Sequence, residues 1–178
     1  MGAPLAFGYL PDVMRGRWQG FLTAVEGLGA ALLLAVAAVF ACDVFARYAL
    51  GATASWIVDL EWYLTAASIA CGLAPALMRG AHVRVDALRD RFGPLTQRWI
   101  DVLGGLLLLL PWCGFVVYAA SRYAYNSFLI GEGSPDPGGL PYRWLIKMAL
   151  PFAFALLGVE GVRQLWRAMR EPSASARS

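Results

Sequence analysis

Few residues of this chain carry side chains that proteins use for catalysis or ligand binding. His82 is its one histidine, so a haem held by two histidines is excluded. Cys42, Cys71 and Cys113 lie far apart in apolar stretches, whereas a zinc site or a disulfide framework needs cysteines at short spacing. We expect them to pack as small apolar side chains between helices. No catalytic triad, clustered carboxylates or phosphate-binding glycine loop is apparent. The sequence therefore predicts no enzyme activity, no bound cofactor and no metal.

The residues that remain for function are charged side chains at the ends of apolar segments. Asp43 and Arg47 are four residues apart and can pair on one helix face. Asp59 and Glu61 follow Trp56 at the start of the next apolar segment. Such charges either reach water at the membrane surface or meet another protein. Two further acidic residues, Glu26 and Glu160, are interpreted as interfacial charges that reach water or lipid headgroups.

The apolar segments that must position these charges predict an all-α integral membrane protein. Hydrophobic residues make up 59% of the chain and charged residues 15%, against about 45–50% and about 25% in soluble domains. A helix needs about 20 apolar residues to cross a bilayer. We predict one domain, 1–178, with four transmembrane helices and a cytoplasmic-side amphipathic interfacial helix. The predicted spans are 21–47, 57–79, 99–124 and 143–167.

The fourth span is the least apolar, because Lys147, Glu160 and Arg163 interrupt it. Lys147 is expected to extend outward to the headgroups. The alternative to a fourth span is a re-entrant or interfacial helix.

The positions of the basic residues predict the orientation. Eleven of the 15 lysines and arginines lie in the N-terminal tail, the second connection and the C-terminal side. Positive charge marks the cytoplasmic side, so both termini should be cytoplasmic in a bacterial inner membrane. No basic block is interleaved with aromatic residues, which excludes a nucleic-acid partner.

Two connections have a character of their own. Residues 81–92 read as an amphipathic helix at the cytoplasmic surface of the lipid bilayer, with His82, Arg84 and Asp86 on it. His82 is expected to be structural, with a proton relay as the alternative. Residues 131–141 are too rich in Gly and Pro for helix or strand and predict a shaped outer loop.

Several short motifs in fixed order carry a family resemblance. Residues 44–48 (VFARY) end the first span, Ser55 and Trp56 open the second, and residues 79–86 (RGAHVRVD) follow it. This set resembles the small membrane subunit (Q-type, DctQ-like) of tripartite ATP-independent periplasmic (TRAP) transporters over about 25–167. The stretch 131–147 further resembles the mannitol/chloroaromatic-type subgroup.

The resemblance implies a heteromeric importer. A large membrane subunit would hold the substrate and sodium sites, and a periplasmic binding protein would deliver an organic acid, such as a 2-oxo acid or related carboxylate. The small subunit would be a fixed scaffold. Many members have two adjacent acidic residues after the Trp, whereas here Val58 precedes Asp59.

With this resemblance, each charged segment has an expected role. The expected contacts to the large subunit are Asp43, Arg47, Trp56, Asp59 and Glu61. The expected docking residues of the outer loop are Glu132, Asp136 and Arg143, with a simple turn as the alternative. Two other functions stay open: a self-sufficient four-helix proton-coupled transporter, suggested by Glu26, and a membrane accessory protein.

Overall fold

The computed structural model of the protein describes residues 12–51, 54–79 and 93–170, and the fold is all-helical. The α-helices are α1 (Asp12–Ala49), α2 (Ser55–Met78), α3 (Pro94–Gly104), α4 (Leu110–Leu129) and α5 (Arg143–Arg170). A π-helical segment, Gly105–Leu109, joins α3 to α4 without a break. The described residues contain no strand.

Four helical stretches are long and apolar enough to cross a membrane, which confirms the predicted number of spans. They are Gly16–Ala49, Ser55–Met78, Val102–Leu129 and Arg143–Met169. The fourth is a continuous helix of membrane length despite its three charges, which supports a span over the re-entrant or interfacial alternative. The helices run beyond the predicted apolar ranges, because polar and aromatic residues at the membrane surface continue a helix as readily as apolar ones.

The helices pack in an open row, in the order α1, α2, α5, α4. Among the described residues, α1 packs extensively on α2 alone, α2 packs also on α5, and α5 packs on α4. Long apolar faces of the row are exposed, such as Leu34 of α1 and Leu108 of the π-helical segment. A soluble protein would bury such faces, so these must meet lipid or another chain.

Small side chains set the closest helix contacts. At Gly29, an added Cβ would lie 2.9 Å from the Cβ of Cys71 on α2. Leu77, Cys113 and Leu157 form a buried cluster where α2, α4 and α5 meet. Cys71 and Cys113 are buried free thiols, as expected, but Cys42 is exposed, so the expected packing is wrong for Cys42 within this chain.

The chain turns out of α4 through a glycine-terminated cap. Gly131 adopts a φ of 60°, a left-handed conformation that side chains with a Cβ disfavour. The amide of Gly131 donates to the carbonyl of Phe128 at 3.1 Å, and that of Glu132 donates to Ser127 at 3.0 Å. These two bonds are the Schellman arrangement for ending a helix. These bonds reverse the direction of the chain at the end of α4, where the loop 131–141 begins. The loop contains neither helix nor strand, as predicted.

Candidate functional site

Polar side chains gather at the two ends of the helix row rather than in a central pocket. Within the described parts of the chain, no group of three His, Cys, Asp or Glu side chains is placed to hold a metal ion. We call the end that carries the loop 131–141 the loop end. The other, where α1 begins and α5 finishes, is the terminal end.

At the loop end of α1, Asp43 and Arg47 form the predicted pair. Arg47 Nη2 donates to Asp43 Oδ2 at 2.6 Å. The Asp43 side chain is 4% exposed while that of Arg47 is 49% exposed. Asp43 Oδ1 is buried with no hydrogen-bond partner among the described residues. The pair therefore joins a buried anion to a cation that faces outward, where another molecule can reach it.

On α2, Asp59 holds the loop. Its side chain is buried, and Oδ2 accepts a hydrogen bond from the backbone amide of Leu140 at 2.8 Å. At Gly139, an added Cβ would lie 2.5 Å from the same oxygen. Asp59 thus contacts its own chain 81 residues away. No local sequence signal indicates that contact, because it depends on how α2 and α5 pack.

The loop is also fixed at the start of α5. Lys147 Nζ donates to Glu132 Oε2 at 2.5 Å and lies 3.8 Å from the centroid of the Tyr123 ring. The Lys147 side chain is 10% exposed, so the expectation that it extends to the headgroups is wrong: its charge is compensated inside the chain. The hydrogen bond from Lys147 holds the pKa of the Glu132 carboxyl below its usual value. The amide of Arg143 donates to the Glu132 carbonyl at 3.0 Å.

The loop has a defined backbone shape. The Ser134 amide donates to the Leu140 carbonyl at 3.1 Å. Gly138 and Tyr142 have φ values of 78° and 67°. A left-handed tyrosine costs free energy and persists only where its surroundings over-determine the conformation. Asp136 is exposed near the tip, whereas Glu132 and Arg143 are half-buried.

The remaining predicted site residues lie in different environments. Trp56 is exposed at the start of α2, and Glu61 is half-buried with Oε1 lacking a partner among the described residues. Contacts of these residues with another subunit stay predictions. The expected interfacial helix 81–92, with His82, Arg84 and Asp86, lies outside the described residues.

At the terminal end, Glu160 is the most deeply buried charge. Its side chain is 1% exposed, so its interpretation as an interfacial charge is wrong. Trp18 Nε1 donates to Glu160 Oε2 at 2.9 Å, and Arg163 Nε lies 3.7 Å from the same oxygen. The Arg163 guanidinium also stacks 5.1 Å from the Trp18 ring. A buried carboxylate needs such partners, since an unpaired one is costly in an apolar medium.

Gln164 extends this cluster to α2. Its Nε2 donates to the Leu77 carbonyl at 2.8 Å, which satisfies a backbone acceptor in the last turn of α2. The cluster therefore joins α1, α2 and α5. Glu26 forms a separate and more exposed ion pair with Arg79, also between α1 and α2. Sequence reasoning missed Trp18, Gln164 and Tyr123, because no spacing rule marks a partner on another helix.

Together the fold and the site define a multi-pass helical membrane protein whose charged residues fasten helices and a loop to one another. The sequence profile of the DctQ component of tripartite ATP-independent periplasmic transporters matches residues 36–171. The chain therefore belongs to the DctQ family, whose members are components of a transporter and not enzymes. A search of curated proteins finds no match to the chain.

Proposed function

We propose that this chain is the scaffold subunit of a sodium-coupled importer of an organic acid, in the mannitol/chloroaromatic-type subgroup. It works with a large membrane subunit that holds the substrate and sodium sites, and with a periplasmic binding protein. Substrates of the 2-oxo acid class and related carboxylates are the first to test. The complex sits in a bacterial inner membrane, with both termini of this chain in the cytoplasm.

The observation that carries this proposal is the open row of helices. Apart from the small buried clusters where three helices meet, the row encloses little interior, so a substrate path would be formed with another chain. The row leaves a broad apolar face exposed on α1, as expected of a surface that packs against a partner chain. Buried polar contacts join separate segments at both ends of the row. Such contacts suit a subunit that stays fixed while another subunit moves.

The large subunit is expected on the α1–α2 side of the loop end. Arg47 presents an exposed cation there, and buried oxygens of Asp43 and Glu61 lack partners among the described residues. Unsatisfied buried oxygens cost about 1–3 kcal/mol each and are typical of functional positions. The loop 131–141, held in shape by Asp59 and Lys147, is expected to contact the binding protein with Asp136 at its exposed tip.

Glu26, the residue that suggested a self-sufficient proton-coupled transporter, is paired with Arg79. No other observation favours that alternative. Adjacent genes for a large permease and a periplasmic binding protein would support the three-component assignment.

The proposal is tested by reconstituting all three components in vesicles with a sodium gradient and measuring uptake of a labelled 2-oxo acid. Uptake should need every component, and uptake by this chain alone would contradict the proposal. For the interface, the double variant Asp43→Ala/Arg47→Ala avoids leaving Asp43 buried and unpaired. It should reduce co-purification of the large subunit, whereas Arg17→Ala, an exposed arginine at the other end of α1, should not. Unchanged recovery in both variants would place the interface elsewhere.

A further inference from the structure

A long groove of about 890 Å³ runs between α4 and α5. Small and apolar side chains form most of its surface, among them Cys113, Gly114, Ala155 and Gly158. The groove lies on the edge of the row opposite α1. It is therefore separate from the charged residues of α1 and α2 discussed above.

One charged residue of the groove has no acidic partner among the described residues. Arg122 of α4 is exposed at the loop end of the groove, between Tyr118 and Tyr125. Among the described residues, no acidic side chain pairs with it, and the lining contains no acidic residue. Arg163 at the terminal end differs, because Glu160 and Trp18 already contact it. A guanidinium that faces lipid needs an anion nearby.

Depth and length indicate which anion. Arg122 is seven residues before the end of α4, about 10 Å along the helix, and a long side chain of this kind can extend toward the membrane surface. On α4 the lining of the groove runs from Leu110 to Tyr125, about 22 Å along the helix. The hydrocarbon core is about 30 Å thick, so the groove does not run across the whole bilayer. A transmembrane helix would need the full thickness and would set its apolar side chains against the guanidinium.

We propose that the groove binds an anionic phospholipid from the leaflet at the loop end. The phosphate contacts the Arg122 guanidinium, and one acyl chain lies along Gly114 and Gly158. An anionic headgroup is preferred over a zwitterionic one because the lining offers no carboxylate for an ammonium group. The site is independent of the subunit contacts proposed above.

Gly114 allows the groove to be filled without disturbing the fold. At Gly114, an added Cβ would meet nothing within 4 Å, so Gly114→Leu projects into the groove. Gly27 of α1 is equally open and exposed, which makes Gly27→Leu a matched control. Arg122→Gln removes the charge. Arg122→Lys keeps the charge but lacks the planar guanidinium, which can donate two parallel hydrogen bonds to a phosphate.

The test uses the delipidated full-length protein in detergent, titrated with dioleoyl phosphatidylglycerol and followed by native mass spectrometry. One lipid should bind per chain. Arg122→Gln and Gly114→Leu should each weaken lipid binding at least about tenfold. Arg122→Lys should retain part of the affinity, and Gly27→Leu should leave it unchanged. Dioleoylglycerol, which lacks the phosphate, and glycerol phosphate, which lacks the chains, should both bind far more weakly.

Two results would overturn the proposal. Equal phosphatidylglycerol binding by wild type, Arg122→Gln and Gly114→Leu would mean non-specific lipid only. If Gly114→Leu abolished co-purification of the large subunit while leaving lipid binding intact, the groove would hold a helix of that subunit instead.

Discussion

Asp59 and Glu160 are acidic residues of the two inner helices, and each is buried while accepting a hydrogen bond from a distant segment. The sequence marks both as unusual, since carboxylates in apolar segments are rare. It does not name their partners, Leu140 and Trp18, because those contacts arise only when helices distant in sequence pack together. At the scale of single residues, the sequence therefore identified both charges but wrongly predicted that Glu160 lies at the membrane interface.

The bond from Leu140 to Asp59 makes the loop conformation testable. Asp59→Ala should raise amide hydrogen exchange in 131–141 by about 10- to 100-fold, because a hydrogen bond to a charged acceptor contributes about 1.5–3 kcal/mol. Asp59→Asn keeps an oxygen acceptor and should have a smaller effect. Asp136→Ala, which removes an exposed carboxylate of the same loop, serves as the control. Equal exchange in Asp59→Ala and wild type would show that Asp59 does not hold the loop.

At the scale of elements, the four spans and the loop followed from composition, because apolar length and Gly and Pro content act locally. The order of the helices in the row did not follow. It depends on which faces fit closely, and that fit is made by small side chains such as Gly29 against Cys71. Hydropathy does not distinguish Gly29 from Gly27, two residues away on the same helix.

Replacing these two glycines by alanine should have opposite effects on the stability of the protein. Gly29→Ala should destabilise the protein by about 1–3 kcal/mol, because the new Cβ would lie 2.9 Å from the Cβ of Cys71 and push α1 from α2. Gly27→Ala meets nothing within 4 Å and should be neutral or stabilising, since alanine favours helix more than glycine. Unfolding in mixed micelles by increasing SDS measures both. A shared response to the two changes would argue against close α1–α2 packing at Gly29.

The terminal-end cluster predicts a contrast between two ion pairs. Glu160→Ala should cost about 3 kcal/mol, because it leaves Trp18 without its buried acceptor and Arg163 without its ion-pair partner. Glu26→Ala, which breaks the more exposed pair with Arg79, should cost about 1 kcal/mol or less. The same unfolding assay compares them. If the two losses were equal, Glu160 would not be the residue that joins α1 to α5.

On the scale of the whole molecule, the distribution of basic residues predicts an orientation that places the loop end outside. Green fluorescent protein fused to the C-terminus should fluoresce, because it folds in the cytoplasm. Alkaline phosphatase inserted at Ser134 should be active, because it needs the oxidising periplasm. A dark fusion at the C-terminus together with an inactive phosphatase at Ser134 would mean that the protein has the opposite orientation. The loop would then face the cytoplasm and could not dock a periplasmic protein.

The charges of α5 also bear on biogenesis. A ribosome releases α5 after every other described helix, and it is the span with Lys147, Glu160 and Arg163 within it. Their partners, Tyr123, Glu132 and Trp18, all belong to segments made earlier. A span that carries three charges thus enters the bilayer last, when the earlier helices already offer its counterions and hydrogen-bond donors. A chain interrupted before α5 would keep Trp18 Nε1 without Glu160 and the Glu132 carboxylate without Lys147, so both polar clusters form only after α5 is made.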